Sequence, residues 1–111
     1  MKQIMKNIDK SCVLTLKDEV AYLPHQVVSK TLIQNDALSI TLFAFDKDEE
    51  ISTHCSSGDA MVYCLDGVGC ITIDGEPYTL NVGETIVMPA GHPHAVYGQE
   101  QFKMLLVVAF E

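Results

Sequence analysis

The sequence predicts a single all-β domain, built either as a sandwich or as a small barrel. Short apolar segments of strand length recur along most of the chain, and turn residues separate them about every 8 to 12 positions. Neither a helical period of any length nor an alternation of strands with helices is present. The 111 residues are enough for one domain, and an apolar content of 48% supports a hydrophobic core.

The N-terminal part of the chain contains one predicted helical turn and one predicted strand. Residues 15–18 include Thr and Asp, which suit the N-cap and the first turn of a helix, and Pro24 ends any helix there. Residues 27–33 are rich in β-branched side chains, which favour a strand. Asn35 and Asp36 then predict a turn.

The rest of the chain is predicted to consist of strands and turns. Leu38, Ile40 and Leu42 alternate with the residues between them, which predicts a half-buried strand. The charged residues 46–50 predict a solvated loop. Seven more strands, each bounded by turn residues such as Asp-Gly, are predicted at residues 51–55, 61–65, 70–73, 78–82, 85–88, 94–97 and 102–110.

Continuous apolar runs predict strands that are buried on both faces. The longest run covers residues 104–109. Alternation and these runs together predict that the following side chains are largely buried: Leu38, Ile40, Leu42, Val62, Ile86, Val87, Leu105, Leu106 and Val107.

The charge of the chain argues against two classes of partner. The net charge is −8, and nucleic acids and anionic membrane surfaces both require clusters of Lys or Arg. All seven basic residues are lysines, so no guanidinium group is available to bind a carboxylate or phosphate in bidentate fashion. We therefore expect neither a nucleic-acid partner nor a membrane partner.

The predicted location is the cytoplasm. The N-terminal sequence has no apolar segment of the kind that a signal peptide requires, and no apolar run approaches the roughly 20 residues of a membrane span. The four cysteines, Cys12, Cys55, Cys64 and Cys70, show no Cys-x-x-Cys pair and no zinc-ribbon spacing. Reduced thiols in a cytoplasmic protein are therefore expected.

Residues 83–94 combine a turn, a short strand and a histidine. Gly83 is followed by five residues, Pro89, one residue, Gly91, two residues and His94. Proline removes a ladder donor and glycine takes the positive φ of a tight turn, so the strand ends before His94 begins the next apolar segment. The turn thus places an imidazole at the mouth of the predicted structure.

This spacing resembles the second conserved motif of the cupin superfamily, whose histidine at the place of His94 is a metal ligand. The first cupin motif runs His, one residue, His, three or four residues, Glu, six residues, Gly. Gly67 matches its glycine, and counting back places Ala60 at the glutamate, Ser56 at the second histidine and His54 at the first. The resemblance covers residues 37–108.

The resemblance implies a double-stranded β-helix, also called a jelly-roll or cupin-like barrel. Residues 1–111 are then expected to form a single cupin domain with its core at residues 37–108. Residues 1–36 are expected to pack on that core or on a dimer partner. A homodimer is usual among the small single-domain cupins and is therefore expected here.

The metal-ligand motif is incomplete by comparison with the family. A typical cupin site uses three histidines and one glutamate, whereas this chain keeps His54 and His94 and has Ser56 and Ala60 at the other two positions. Two imidazoles complete neither a tetrahedral zinc site nor a facial triad. We expect either no cofactor or a weakly bound divalent transition metal.

Two further side chains are candidate ligands. Alternation from Ala60 puts Val62 and Cys64 on the face of the missing glutamate, and a thiolate is a good soft ligand. His92 would share a face with His94 on a regular strand. The residues expected to line the pocket between the two motifs are Ser56, Ala60, Val62 and Met88.

Three functions are compatible with these features. The first is the binding of a small polar molecule in the barrel mouth, with His54 and His94 as polar anchors and with a reduced or absent metal site. The second is a metal-dependent enzyme of the oxygenase or isomerase type, with the metal held by these two histidines and a substitute ligand. The third is a dimeric accessory protein without a ligand. No catalytic residue is assigned, although either histidine titrates near neutral pH and suits acid–base work.

Overall fold

The computed structural model of the protein describes residues 4–111, and these residues confirm the all-β prediction. They form one 3-10 turn, Leu16–Glu19, which confirms the helical turn predicted at residues 15–18. The seven strands of this part of the chain are β1 (Val27–Gln34), β2 (Leu38–Phe45), β3 (Glu50–His54), β4 (Asp59–Ile73), β5 (Glu76–Asn81), β6 (Thr85–Met88) and β7 (His94–Ala109). No helix among the described residues is long and apolar enough to cross a membrane.

Two long antiparallel strands, β4 and β7, hold the fold together. They pair with each other along most of their length, from Asp59 opposite Ala109 to Ile73 opposite His94. Beside one half of this pair lie β2, which pairs with β7 and carries β1, and β6, which pairs with β4. Beside the other half lie β3, which pairs with β7, and β5, which pairs with β4. The architecture is that of the double-stranded β-helix.

The predicted break at Asp66 and Gly67 is wrong, because β4 continues through it. The pairing of β4 with β7 shifts between Cys64 and Asp66 and again between Gly67 and Gly69, which is a β-bulge region rather than a turn. Gly67 has φ +74°, and a Cβ there would overlap the carbonyl oxygen of Gln101. Glycine serves a bulge for the same reason that it serves a turn, so the sequence signal is the same in both cases. The predicted break at residues 98–101 is absent from β7 in the same way.

The Asp-Gly turn at Asp74 and Gly75 forms as predicted. Both residues have positive φ, 52° and 81°, and the flanking residues Ile73 and Glu76 pair directly. This is the two-residue hairpin that Asp-Gly favours, because its backbone twist matches that of the flanking strands. The turn fixes the register of β5 on β4.

The core lies between the two halves of the barrel. It consists of inward side chains from most of the strands: Phe45, Ala60, Val62, Cys64, Ile71, Leu80, Met88, Val96, Phe102, Met104 and Val108. Phe45 and Phe102 pack with their ring centroids 5.6 Å apart. Long alternating strands therefore fill the interior from both sides, as the period of two requires.

A second apolar cluster forms on the outer face of β2. Leu42 and Ala44 point outward there, and Val20 and Leu32 cover them so that all four are buried. The hydroxyl of Tyr22 donates a hydrogen bond of 2.6 Å to Asp66 on β4. Part of the segment before β2 thus packs on the strands of its own chain.

The burial predictions hold best where a second layer covers the strand. Leu42 and Val62 are fully buried, as predicted. Val87 is 52% exposed, so its predicted burial is wrong, because the outer face of β6 has no covering layer. The remaining predicted side chains are only half-buried: Leu38, Ile40, Ile86, Leu105, Leu106 and Val107.

Candidate functional site

The register between β3 and β7 brings His54 and His94 together. His54 is the last residue of β3, His94 is the first residue of β7, and the two are direct partners in the antiparallel ladder. The turn before His94 contains Gly91 with φ +78°, the left-handed conformation expected of the motif glycine. Two motifs that lie 40 residues apart in sequence thus deliver one imidazole each to the same place.

The two imidazole rings are in hydrogen-bond contact. Their Nε2 atoms are 3.1 Å apart, and the rings meet edge to face with centroids 4.3 Å apart. His94 is buried with 3% of its surface exposed, whereas His54 is exposed to solvent. The pair therefore extends from the interior of the barrel to its surface.

Hydrogen bonding assigns the tautomers of the neutral pair. The Nδ1 atom of His54 lies 2.9 Å from the carbonyl oxygen of Ser52, which only accepts, so Nδ1 carries the proton. The Nε2 atom of His54 then has a free lone pair, and His94 donates to it through its own Nε2–H. His94 is left with an unprotonated Nδ1 that is buried and has no hydrogen-bond partner among residues 4–111.

The environment of His94 favours its neutral form. Burial lowers its pKa, because the charged imidazolium loses hydration, and the nearby His54 lowers it further by charge repulsion. The backbone of His92 raises the pKa of His94, but this is the smallest of the three effects. Within residues 4–111, Nδ1 of His94 meets no group in hydrogen-bond geometry. The donor–acceptor arrangement of two neutral rings is therefore the expected state at neutral pH.

A cavity of about 270 Å³ adjoins the histidine pair inside the barrel. Its lining consists mainly of apolar side chains from β2, β3, β4, β6 and β7. The lining residues are Phe43, Ile51, His54, Cys55, Ser56, Ala60, Met88, His94, Val96, Met104, Leu106 and Val108. None of these described residues is an Asp, Glu, Lys or Arg, so the cavity has no permanent charge.

Three of the predicted pocket residues line the cavity together with the two histidines. They are Ser56, Ala60 and Met88. The predicted pocket residue Val62 does not line it but is fully buried in the core. The hydroxyl oxygen of Ser56 accepts a hydrogen bond of 3.1 Å from the amide of Gly58, which leaves its own proton available.

Cys64 and His92, the two candidate additional ligands, do not line the cavity. The Sγ atom of Cys64 contacts the carbonyl oxygens of Asp66 and Gly67 at 3.5 and 3.7 Å, and burial raises the pKa of this thiol to about 11. His92 is exposed, and its Nδ1 atom makes a hydrogen-bond contact of 2.7 Å with the carboxylate of Asp74. Alternation does not relate His92 to His94, because β7 begins only at His94.

Sequence reasoning missed several lining residues, although a signal for some of them was present. Val96, Met104, Leu106 and Val108 share the parity of His94 along β7, so one uninterrupted strand would have placed them all on the inner face. The predicted break at residues 98–101 divides β7 into two strands, so the sequence does not relate the side chains of the second strand to the face of His94. Cys55 follows His54 directly at the end of β3, where alternation gives no direction.

The residues at the cavity do not fit a tightly held metal ion. Stable divalent sites need three or more protein ligands, and only His54 and His94 are present at the family positions. Across residues 4–111, no three His, Cys, Asp or Glu side chains are grouped to hold a metal. A metal-bound histidine also donates its other N–H to a partner, and Nδ1 of His94 has none.

Comparison with known proteins identifies the family. Residues 41–108 match the family model of the Cupin domain. No curated protein sequence is significantly similar to the chain.

Solved structures agree with this assignment. A conserved protein of unknown function from Streptococcus pyogenes has 49% identity, with 99% of this chain and 96% of that chain covered and a TM-score of 0.96. A cupin superfamily protein from Desulfitobacterium hafniense has 30% identity over 98% of this chain and 100% of that chain, with a TM-score of 0.93. A cupin 2 conserved barrel domain protein from Leptotrichia buccalis has 40% identity over 86% of this chain and 47% of that chain, with a TM-score of 0.85. The chain belongs to the cupin family, as a small cupin with an incomplete metal-ligand motif.

Proposed function

We propose that the protein binds a small molecule in the barrel mouth, through a polar group held by His54 and His94, without a tightly bound metal. The observation that carries this proposal is the hydrogen-bonded histidine pair beside a cavity of about 270 Å³. Small-molecule sites are typically apolar concavities with a few well-placed polar groups, and their volumes start at about 300 Å³. The volume of this cavity is slightly below that value, so the cavity suits a small ligand.

The exposed His54 gives the site its access to solvent. His94 lies at the inner side of the pair with an unpaired Nδ1, so the protein keeps a buried polar side chain that is incompletely satisfied. An unsatisfied buried polar atom costs about 1–3 kcal/mol of stability. A binding role offers a reason to retain a histidine there, since an apolar residue would avoid that cost.

A titration of isotopically labelled protein with a library of small neutral and charged molecules tests the proposal. We expect chemical-shift changes that concentrate on cavity residues, with the largest effects at the imidazoles of His54 and His94. The exposed His25 serves as the internal control, because its backbone amide donates to Asp46 and it does not line the cavity. Binding that leaves both cavity imidazoles unchanged would contradict the proposal.

A metal-dependent enzyme is the second candidate, and one distance favours it. Two nitrogens bound to one ion at about 2.1 Å lie roughly 3.0 Å apart at a right angle and roughly 3.4 Å apart at the tetrahedral angle, and the observed Nε2 separation of 3.1 Å falls between these values. Such an ion would be held by His54, His94 and a substitute ligand or water. Elemental analysis after purification without added metal separates the candidates: we expect well under one equivalent of metal per chain, whereas one retained equivalent of a transition metal would favour the enzyme.

A further inference from the structure

We propose that the polar group of the ligand is a hydroxyl and that the rest of the ligand is an uncharged hydrocarbon, as in a small alcohol or phenol. This inference rests on the proposed binding function and specifies the chemical class that the same site recognises. It follows from two separate features of the cavity: the fixed donor and acceptor of the histidine pair, and the composition of the lining.

The histidine pair presents one donor and one acceptor to a ligand. The Ser52 carbonyl holds the proton of His54 on Nδ1, so Nε2 of His54 accepts, and Nε2 of His94 donates. A ligand group that inserts between the two rings must therefore accept from Nε2–H of His94 and donate to Nε2 of His54. The exposed His54 ring is the one free to move aside, because His94 is enclosed by the barrel.

A hydroxyl is the simple functional group that matches this pair. It accepts from His94 and donates to His54, so one direct hydrogen bond is exchanged for two. A carbonyl, ether or carboxylate oxygen only accepts and would leave Nε2 of His54 without a donor. An ammonium group only donates and would leave Nε2–H of His94 without an acceptor. An ammonium group would thus leave the buried Nε2–H of His94 unpaired, which is costly, whereas a group that only accepts would leave Nε2 of the exposed His54 to water and would gain one hydrogen bond fewer than a hydroxyl.

The lining requires that the remainder of the ligand be apolar and uncharged. Phe43, Ile51, Val96, Met104, Leu106 and Val108 form most of the wall. No Lys, Asp or Glu among the described residues lines the cavity, and the chain has no Arg at all. A carboxylate or phosphate would therefore be buried without a counter-charge, and the net charge of −8 would repel it. A sugar would bury several hydroxyls, whereas the lining offers polar side-chain groups only at the histidine pair, at Ser56 and at the weakly hydrogen-bonding thiol of Cys55.

The cavity volume sets the size of the ligand. An apolar protein cavity of about 150 Å³ accommodates benzene, which has six non-hydrogen atoms. By proportion, the observed volume of about 270 Å³ holds a ligand of about eleven such atoms. A single substituted ring or a branched aliphatic alcohol falls within this limit.

Four probes of similar size, and one polyol, test the inference by calorimetry and NMR in buffer that contains a chelator. Phenol has the hydroxyl, toluene replaces it with a methyl group of nearly equal volume, benzaldehyde only accepts, and benzoate is charged. The polyol myo-inositol has hydroxyls without a hydrocarbon body. We expect phenol to bind about tenfold more tightly than toluene and benzaldehyde, and we expect no binding of benzoate or myo-inositol.

Variants assign the preference to the proposed atoms. In His54→Ala the preference for phenol over benzaldehyde should disappear, because Nε2–H of His94 is then the remaining polar group of the pair and both probes accept from it. Ala60→Leu fills part of the cavity and should abolish binding of both probes. His25→Asn is the matched control, because it changes an exposed histidine with φ 59°, a conformation that asparagine tolerates, and should leave both affinities unchanged.

The outcomes distinguish this inference from the function on which it rests. Equal affinities for phenol and toluene, or tighter binding of benzaldehyde, benzoate or myo-inositol in the cavity, would overturn the hydroxyl assignment and leave small-molecule binding intact. Failure of every probe to perturb the cavity of the wild-type protein would overturn both. The phenol–toluene comparison on the wild-type protein decides the matter even if Ala60→Leu does not fold.

Discussion

His54 and His94 are neighbours in the β3–β7 ladder, and their Nε2 atoms lie 3.1 Å apart. Because the Ser52 carbonyl fixes the proton of His54 on Nδ1, the pair has a defined direction in which His94 donates and His54 accepts. Under the proposed function, this pair recognises the polar group of a ligand by hydrogen bonding. The arrangement lowers the stability of the fold, because Nδ1 of His94 is buried without a hydrogen-bond partner among the described residues.

Replacing His94 with leucine is expected to abolish ligand binding without loss of stability. The substitution removes the unpaired buried Nδ1 and leaves an apolar side chain of similar size among apolar neighbours. We expect the free energy of unfolding to stay within about 1 kcal/mol of the wild-type value or to rise. Chemical denaturation and a binding assay with phenol measure the two effects. A loss of stability beyond that margin would mean that His94 is retained for the fold.

Leu42→Ala should destabilise the protein far more than Val87→Ala. Leu42 is fully buried in the cluster between β2 and the N-terminal segment, whereas Val87 is 52% exposed on the outer face of β6. Truncating a buried leucine costs about 2–5 kcal/mol, and an exposed valine should cost less than about 1 kcal/mol. Urea denaturation of both variants gives the comparison. Similar costs for the two substitutions would contradict the assignment of the outer cluster.

Cys64 should resist thiol reagents that modify the exposed cysteines. Cys12 and Cys55 are exposed, while Cys64 is fully buried and burial raises its pKa to about 11. At pH 8 its thiolate is scarce, so the native protein should show slow modification of Cys64 and fast modification of Cys12 and Cys55. Mass spectrometry of the modified peptides identifies each site. Rapid modification of Cys64 in the native state would show that the thiol is accessible.

The same pKa shift predicts a loss of stability at high pH. In the unfolded chain the thiol ionises near its ordinary pKa of 9.0, while in the folded chain it stays protonated up to about 11. Between these two pH values the unfolded chain loses the thiol proton while the folded chain keeps it, so rising pH stabilises the unfolded state. The contribution of Cys64 to stability is therefore present below pH 9 and declines between pH 9 and 11. Cys64→Ala should show a smaller decline over this interval. An identical decline in both proteins would exclude Cys64 as its source.

A homodimer remains a prediction, and its interface is expected on the outer face of β4 and β6. The sequence favours the N-terminal segment, including Val27, Leu32 and Ile33, as the interface, but Leu32 and Ile33 are 2% and 9% exposed within their own chain. Met61, Tyr63 and Val87 remain exposed on neighbouring strands, and contiguous apolar surface of this kind marks interaction sites. These uncharged side chains let two copies with a net charge of −8 approach each other. Tyr63→Lys should shift the protein to the monomer in sedimentation equilibrium, and a wild-type monomer at micromolar concentration would contradict the prediction.

The sequence motif predicts the fold and the two histidines better than it predicts the wall of the cavity. The spacing of Gly83, Pro89, Gly91 and His94 indicates a turn that places His94 at a strand start, and the structure has that arrangement. The β3–β7 register that brings His54 opposite His94 depends on a pairing between distant segments. Local propensity carries no information about such a pairing.

Alternation predicts the face of a side chain but not its depth along the strand. Ala60, Val62 and Cys64 all point inward and are all buried, as the period of two requires. Only Ala60 reaches the cavity, because Cys64 lies four residues farther along β4, about 13 Å away. Glycine is more ambiguous, since the Asp-Gly pair at Gly67 predicts a turn, whereas Gly67 occupies a bulge inside a continuous strand.

The tautomeric states of His54 and His94 test the central claim most directly. Two-bond proton–nitrogen correlation spectra of the nitrogen-15-labelled protein at neutral pH report which ring nitrogen of each histidine carries the proton. The account predicts two neutral rings of opposite tautomer, with the proton on Nδ1 of His54 and on Nε2 of His94. Protons on Nδ1 of both rings, with both Nε2 atoms showing the shifts of metal-bound nitrogen, would contradict it and establish a metal site.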